Sequence, residues 1–72
     1  MITHLTEFEL GGIAARGGSL EVNAGQFTAH ELAGIAARLS DGATLKLHNS
    51  SCFTAFDLGG IAARKPGQVI FC

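Results

Sequence analysis

Cysteine, charge and long apolar runs are all scarce in this chain: it has two cysteines, 15% charged residues and a single proline in 72 residues. Two thiols, Cys52 and Cys72, make no disulfide framework and match no paired zinc spacing. Reduced thiols in a reducing compartment are therefore expected. No apolar stretch reaches the ~18 residues that span a bilayer, and the opening MITHLTEFEL lacks the basic region and long apolar core of a signal peptide. A cytoplasmic chain with no membrane partner is the expectation. Basic charge is not in excess either, since five Lys plus Arg stand against six Asp plus Glu, for a net charge of −1. That leaves no electrostatic footprint for DNA, RNA or an anionic surface. The charged share lies well under the roughly 25% of an average globular chain, while 47% of residues are hydrophobic. Something other than water is expected to cover part of the surface. The length allows one domain, 1–72, and a chain this short hides only about 60% of the surface that its unfolded form exposes.

What the sequence has instead is repetition. GGIAAR stands at 11–16 and again at 59–64, with AGIAAR at 33–38, and the upstream flanks fall into register as LTEFELGGIAAR, FTAHELAGIAAR and FTAFDLGGIAAR. Each copy opens with a helix start: Thr6, Thr28 and Thr54 are followed three residues later by Glu9, Glu31 and Asp57. In that spacing the hydroxyl accepts from the third helical amide and the acid reaches back to the cap amide. Leu5, Phe27 and Phe53 precede the threonines and are placed to meet Leu10, Leu32 and Leu58 as hydrophobic staples. Gly17, Gly42 and the KPG at 65–67 supply stop signals. The spacing predicts helices over 6–16, 28–39 and 54–64.

Between them, SLEVN (19–23), TLKLH (44–48) and QVIFC (68–72) alternate apolar and polar residues at period two, as strands with one buried face do. Helix and strand alternate three times. Parallel strands joined by right-handed crossovers then give a three-stranded sheet in order 1-2-3 with all helices on one face. The expected fold is thus α/β: three βα-type repeats forming a short right-handed solenoid. In period and architecture, carried by GSLEVNA (18–24) and ATLKLHN (43–49), the chain resembles the leucine-rich repeat class, whose units of 20 to 29 residues place one strand and one helix per turn. The resemblance implies partner binding through the exposed sheet face. Solenoids are closed by special end repeats, and neither end of this chain has that character, which favours other chains covering the ends.

At 100° per residue, Leu10, Ile13, Ala14 and Gly17, then Leu32, Ile35, Ala36 and Leu39, then Leu58, Ile61 and Ala62 are expected to face the sheet. The opposite face carries Phe8, Gly12 and Ala15, then His30, Gly34 and Ala37, then Phe56, Gly60 and Ala63. An outer face is ordinarily charged, and this one is smooth. Interior glycines cost a helix about 0.5–1 kcal/mol each relative to alanine, so the pairs Gly11, Gly12 and Gly59, Gly60 call for a packing reason. A homo-oligomer through this face is the leading expectation, with a rim of Glu9 and Arg16, Glu31 and Arg38, Asp57 and Arg64, and with Ile70 on the last strand as a second contact. The bland alternative leaves these residues merely exposed.

The outer sheet face is the second candidate surface, a monomeric recognition site built from Glu21, Asn23, Lys46 and His48, in which Glu21 and Lys46 form a cross-strand charge pair. A third reading is a small thiol-dependent enzyme or redox protein. Asn23, His48 and Cys72 share one row of the sheet and are residue types of thiol hydrolases, but no oxyanion hole or buried acid accompanies them. His48 and Cys52 are too few ligands for zinc unless chains share a site. GIAARGGS (12–19) has the glycine spacing of a phosphate loop, yet Gly18 stands where lysine is needed and the order runs helix to strand. No catalytic residue, metal or cofactor is expected.

Overall fold

The computed structural model describes residues 3–72. Helices α1 (Glu7–Ala15), α2 (Ala29–Ala37) and α3 (Ala55–Ala62) alternate with strands β1 (Leu20–Asn23), β2 (Leu45–His48) and β3 (Val69–Phe71). The strands form one parallel sheet in the order β1-β2-β3, in the register Leu20 to Leu45 to Val69 and Val22 to Leu47 to Phe71. The molecule is an α/β protein of three helices and a three-stranded parallel sheet.

Each helix begins where its threonine stands. Thr6 and Thr28 accept from the amides of Glu9 and Glu31, and the carboxylates of Glu9 and Glu31 accept in return from the cap amides at 2.9 Å. Thr54 accepts from the Asp57 amide at 3.2 Å, but Asp57 makes no return bond. Its side chain is one methylene shorter than glutamate. The helices are shorter than the predicted spans because the threonines and Arg16 and Arg38 are caps outside them, and α3 stops at Ala62. After α1, Gly17 at φ +98° turns the chain left-handed, and the amides of Gly17 and Gly18 donate to the Ala14 and Ile13 carbonyls, the paired closure of a Schellman end. Gly42 and Gly67, at φ +84° and +81°, sit further on, in turns that the Ala43 to Ser40 and Gln68 to Lys65 hydrogen bonds close ahead of β2 and β3.

Alternation in the strands sorts the two sheet faces. Leu20, Val22, Leu45 and Leu47 are buried with Leu10, Ala14, Leu32, Ile35, Ala36, Leu39 and Ile61 in one core. Ile13 departs from the expected sheet-facing set: it is 38% exposed, whereas Ile35 and Ile61 at the same point of the repeat are 0% and 1% exposed. That position points along the layer of helices toward the preceding helix. α1 packs against α2 and α2 against α3, whereas among the described residues no helix precedes α1. Gly17 is exposed as well, in the helix end rather than on the sheet side. At the other end Leu58, Ala62, Val69 and Phe71 are only half-buried. The core is deepest around α2 and β2.

Two single-turn 3-10 helices, Ala24–Gln26 and Ser50–Cys52, follow β1 and β2. There Asn23 Oδ1 accepts from the Gly25 amide and from Asn49 Nδ2, at 2.9 and 3.0 Å, tying the two loops together. Ser50 donates from both its amide and its hydroxyl to the Cys72 carbonyl. Asn49 holds a left-handed conformation at φ +61°. A non-glycine residue there costs about 1–2 kcal/mol, which asparagine offsets through its own hydrogen bonding. Asn49→Ala is therefore expected to cost roughly 1–2 kcal/mol in urea titration, by strain and the lost bond together. Asn49→Gly should cost less, because it removes the bond and relieves the strain. Completing the third capping box with Asp57→Glu is expected to stabilise the fold by a few tenths of a kcal/mol, in the range of a modest cap improvement.

Candidate interaction surfaces

Two surfaces carry the residues singled out in the sequence, and they lie on opposite sides of the molecule. On the helix side, Phe8 and Phe56 are 74% and 88% exposed. His30, Ala15, Ala37, Gly60 and Ala63 are exposed beside them, with Gly12 and Gly34 half-buried. The glycines differ in what surrounds them. A Cβ on Gly11 would lie 3.0 Å from Arg38 Cδ, and one on Gly34 would lie 3.7 Å from Glu7 Oε2. Gly12, Gly59 and Gly60 have open space where a Cβ would stand. Within the chain, then, Gly11 has a packing reason and those three have none.

The expected rim of charge pairs does not form. Glu9 and Glu31 turn back onto their own cap amides, and among the described residues no arginine is paired with a carboxylate. Capping claims the acids first, because the return bond is local and needs no second long side chain to be held in place. The Thr6 amide's hydrogen bond, followed by that of its hydroxyl, holds the Glu9 carboxyl below the usual carboxylate range.

On the sheet side, Glu21 lies directly opposite Lys46 and Asn23 opposite His48. The predicted pair of Glu21 with Lys46 is replaced by a diagonal one. His48 Nε2 and Glu21 Oε1 are 2.7 Å apart. An ionised carboxylate only accepts, so Nε2 carries the hydrogen. That bond is the main reason why the Glu21 carboxyl sits below its ordinary value, with the charges of His48 and Lys46 adding to it. The imidazole wins because its ring spans one diagonal step of the sheet and offers a directed N–H, whereas Lys46 contributes only its field. Asn23 is committed to Gly25 and Asn49, which removes it from the row of free recognition groups. Its bond to Asn49 was not legible from spacing, since it runs between loops rather than across strands. Ile70, 44% exposed, completes the face on β3.

The Cys72 amide donates to the Leu47 carbonyl at the end of β3, in line with Asn23 and His48, but among the described residues neither thiol is hydrogen-bonded to His48. Both cysteines are free and exposed, and Cys52 Sγ donates to the Asn49 carbonyl at 3.2 Å. Among the described residues no three His, Cys, Asp or Glu side chains gather as metal ligands, and no helix is long and apolar enough to cross a membrane.

The site thus defines a class in structural terms, a small α/β protein with one smooth helix face and one charged sheet face. Comparison with family models, curated proteins and solved structures gives no match to the chain.

Glu21 and Glu9 give folding a pH dependence of known sign. Both hold their protons less tightly folded than unfolded, so their contribution is complete above the ordinary glutamate range near ~4.3 and is lost as the pH falls through their lowered folded values. Thermal melts by circular dichroism are expected to show the midpoint dropping as pH falls from about 5 to about 3. Glu21→Gln should make that drop shallower. An unchanged slope would show that Glu21 does not gain from His48.

Proposed function

We propose that this chain is a non-enzymatic repeat module, a short right-handed α/β solenoid of the leucine-rich-repeat kind, that works in the cytoplasm by associating with copies of itself. The reading is supported by one observation above the others: Gly12, Gly59 and Gly60 occupy helix interiors, and beyond the adjoining helix backbone their own chain leaves open the space where a Cβ would stand. Each costs about 0.5–1 kcal/mol of helix stability, and a second chain is the remaining source of close packing. Phe8 and Phe56, each four residues before one of these glycines and largely exposed, strengthen the reading by adding large apolar side chains to the same helices. Low overall charge fits a surface that another chain covers.

A second reading, a monomeric recognition module, draws on the sheet face. Exposed Glu21 and half-buried Lys46 and His48 set both signs of charge side by side on adjacent strands.

Size-exclusion chromatography with light scattering over a hundredfold concentration range separates the two. The self-association reading expects a mass above that of one chain, rising with concentration and returning to one chain in the double variant Phe8→Lys, Phe56→Lys. A single-chain mass at every concentration would leave the sheet-face reading. In urea titrations of the dissociated protein, Gly60→Ala is expected to stabilise the chain by about 0.5–1 kcal/mol, the helix-propensity gain at a site with open space.

A further inference from the structure

We infer that a second copy of this chain docks end to end with the first, the α1 flank of one copy seating on the α3 flank of the next and continuing the packing by which α2 seats on α1. The inference rests on the self-association reading and names its geometry.

The argument begins with what the three helices bury. Along each, one position of the repeated segment faces the sheet, one faces the following helix and one faces the preceding helix. Leu10 and Leu32 face the sheet and are fully buried. Gly11 and Ala33 face the following helix and are buried, while Gly59, at the same point of α3, is exposed. Ile35 and Ile61 face the preceding helix and are buried, while Ile13 of α1 is 38% exposed. The two ends of the helix layer therefore expose opposite halves of one contact that the chain makes twice internally. A second copy offers to each end the partner that it lacks.

The arginines and glycines carry this further. Inside the chain, the Arg38 side chain lies across Gly11, with Cδ and Nη1 at 3.0 and 3.1 Å from where a Cβ would stand. Gly59 is the counterpart of Gly11 and has nothing across it. Arg16 is the counterpart of Arg38, and it lines an open groove of about 430 Å³ on the free flank of α1 with Leu5, Phe8, Glu9, Gly12 and Ile13. Laid on α3 of the next copy as α2 lies on α1, Arg16 crosses Gly59. This gives Gly59 the reason that Gly11 already has.

The sheet edges fit the same displacement. The Leu20 amide donates to Thr44, the Leu45 amide to Gln68 and the Cys72 amide to Leu47. Parallel pairing uses the two backbone groups of alternate residues on alternate sides. Glu21 on β1 and Val69 and Phe71 on β3 therefore turn theirs to the open edges. A copy displaced by one strand beyond β3 sets its β1 beside β3 in parallel, where Val69 and Phe71 bracket Glu21. The half-buried side chains of Val69 and Phe71 then come beneath Leu20 and Val22 of that copy.

Complementation between two blocked variants tests this geometry. Gly59→Arg fills the α3 flank with bulk and a charge like that of Arg16; Ile13→Lys blocks the α1 flank, and Gly12→Gln, at a position with open space, replaces it should Ile13→Lys fail to fold by circular dichroism. Each variant alone is expected to run at the mass of one chain under conditions in which the unaltered chain assembles. Their equimolar mixture is expected to run at twice that mass, because each retains the end that the other has lost. Assembly by either folded variant alone would overturn the end-to-end geometry while leaving self-association through the outer helix face standing. A mixture that stays at the mass of one chain would likewise overturn it. An unaltered chain with the mass of one copy throughout would remove self-association and this inference with it.

Discussion

Nine residues each in α1 and α2 make about two and a half turns, too few for a helix to persist alone in water. These helices exist because Leu10, Ala14, Leu32 and Ala36 bury against the inner face of the sheet and Ile35 buries against the neighbouring helix. Strands of three or four residues are no more independent. Each layer is thus a condition of the other, and the mutual burial of a few leucines and isoleucines is the constraint on which the remaining structure depends. Capping and turn chemistry set where each element begins and ends, but they do so on segments that only tertiary packing keeps ordered.

That dependence is not shared evenly. The middle unit has a helix and a strand on either side, so Ile35, Ala36, Leu45 and Leu47 are fully enclosed. The last unit has neighbours on one side only, and Leu58, Ala62, Val69 and Phe71 remain half-buried. Polar ties offset part of this. Gln68 Nε2 donates to the Ser40 and Ala43 carbonyls, and Ser50 holds the Cys72 carbonyl at the far end of β3. β3 is thereby fastened at both ends although its apolar side chains are only partly covered.

Much of the fold could be read from the sequence because its signals were local and occurred three times. Thr6, Thr28 and Thr54 mark helix starts through bonds that span three residues. Period-two alternation in LEVN and LKLH identified both the strands and their buried face. What could not be read depended on neighbours. The helical wheel groups Ile13 with Leu10, and it cannot tell a position that faces the sheet from one that faces an adjacent helix; the position of α1 at the edge of the layer decides the burial of Ile13. The loop contact of Asn23 with Asn49, and the choice of His48 over Lys46 by Glu21, similarly arise from side-chain reach once the strands are in register. The smooth helix face was legible residue by residue, whereas the difference between Gly11, crossed by Arg38, and Gly59, open, belongs to packing alone.

The proposed end-to-end contact has consequences for how an assembly would grow. It joins two different surfaces, so each added copy covers one open flank and presents another identical to it. A heterologous contact of this kind closes into a ring only when the rotation between copies divides a full turn, and otherwise extends as a filament. Neighbouring strands in a sheet are rotated by roughly 20–25° on average, so three strands per copy carry a substantial rotation from one chain to the next. Each addition joins two molecules, so growth follows concentration. The Glu21 carboxylate, set on the edge strand, works against indiscriminate pairing in the way that charged residues on sheet edges do. The match of Arg16 to Gly59 would then supply the register that backbone pairing alone does not specify.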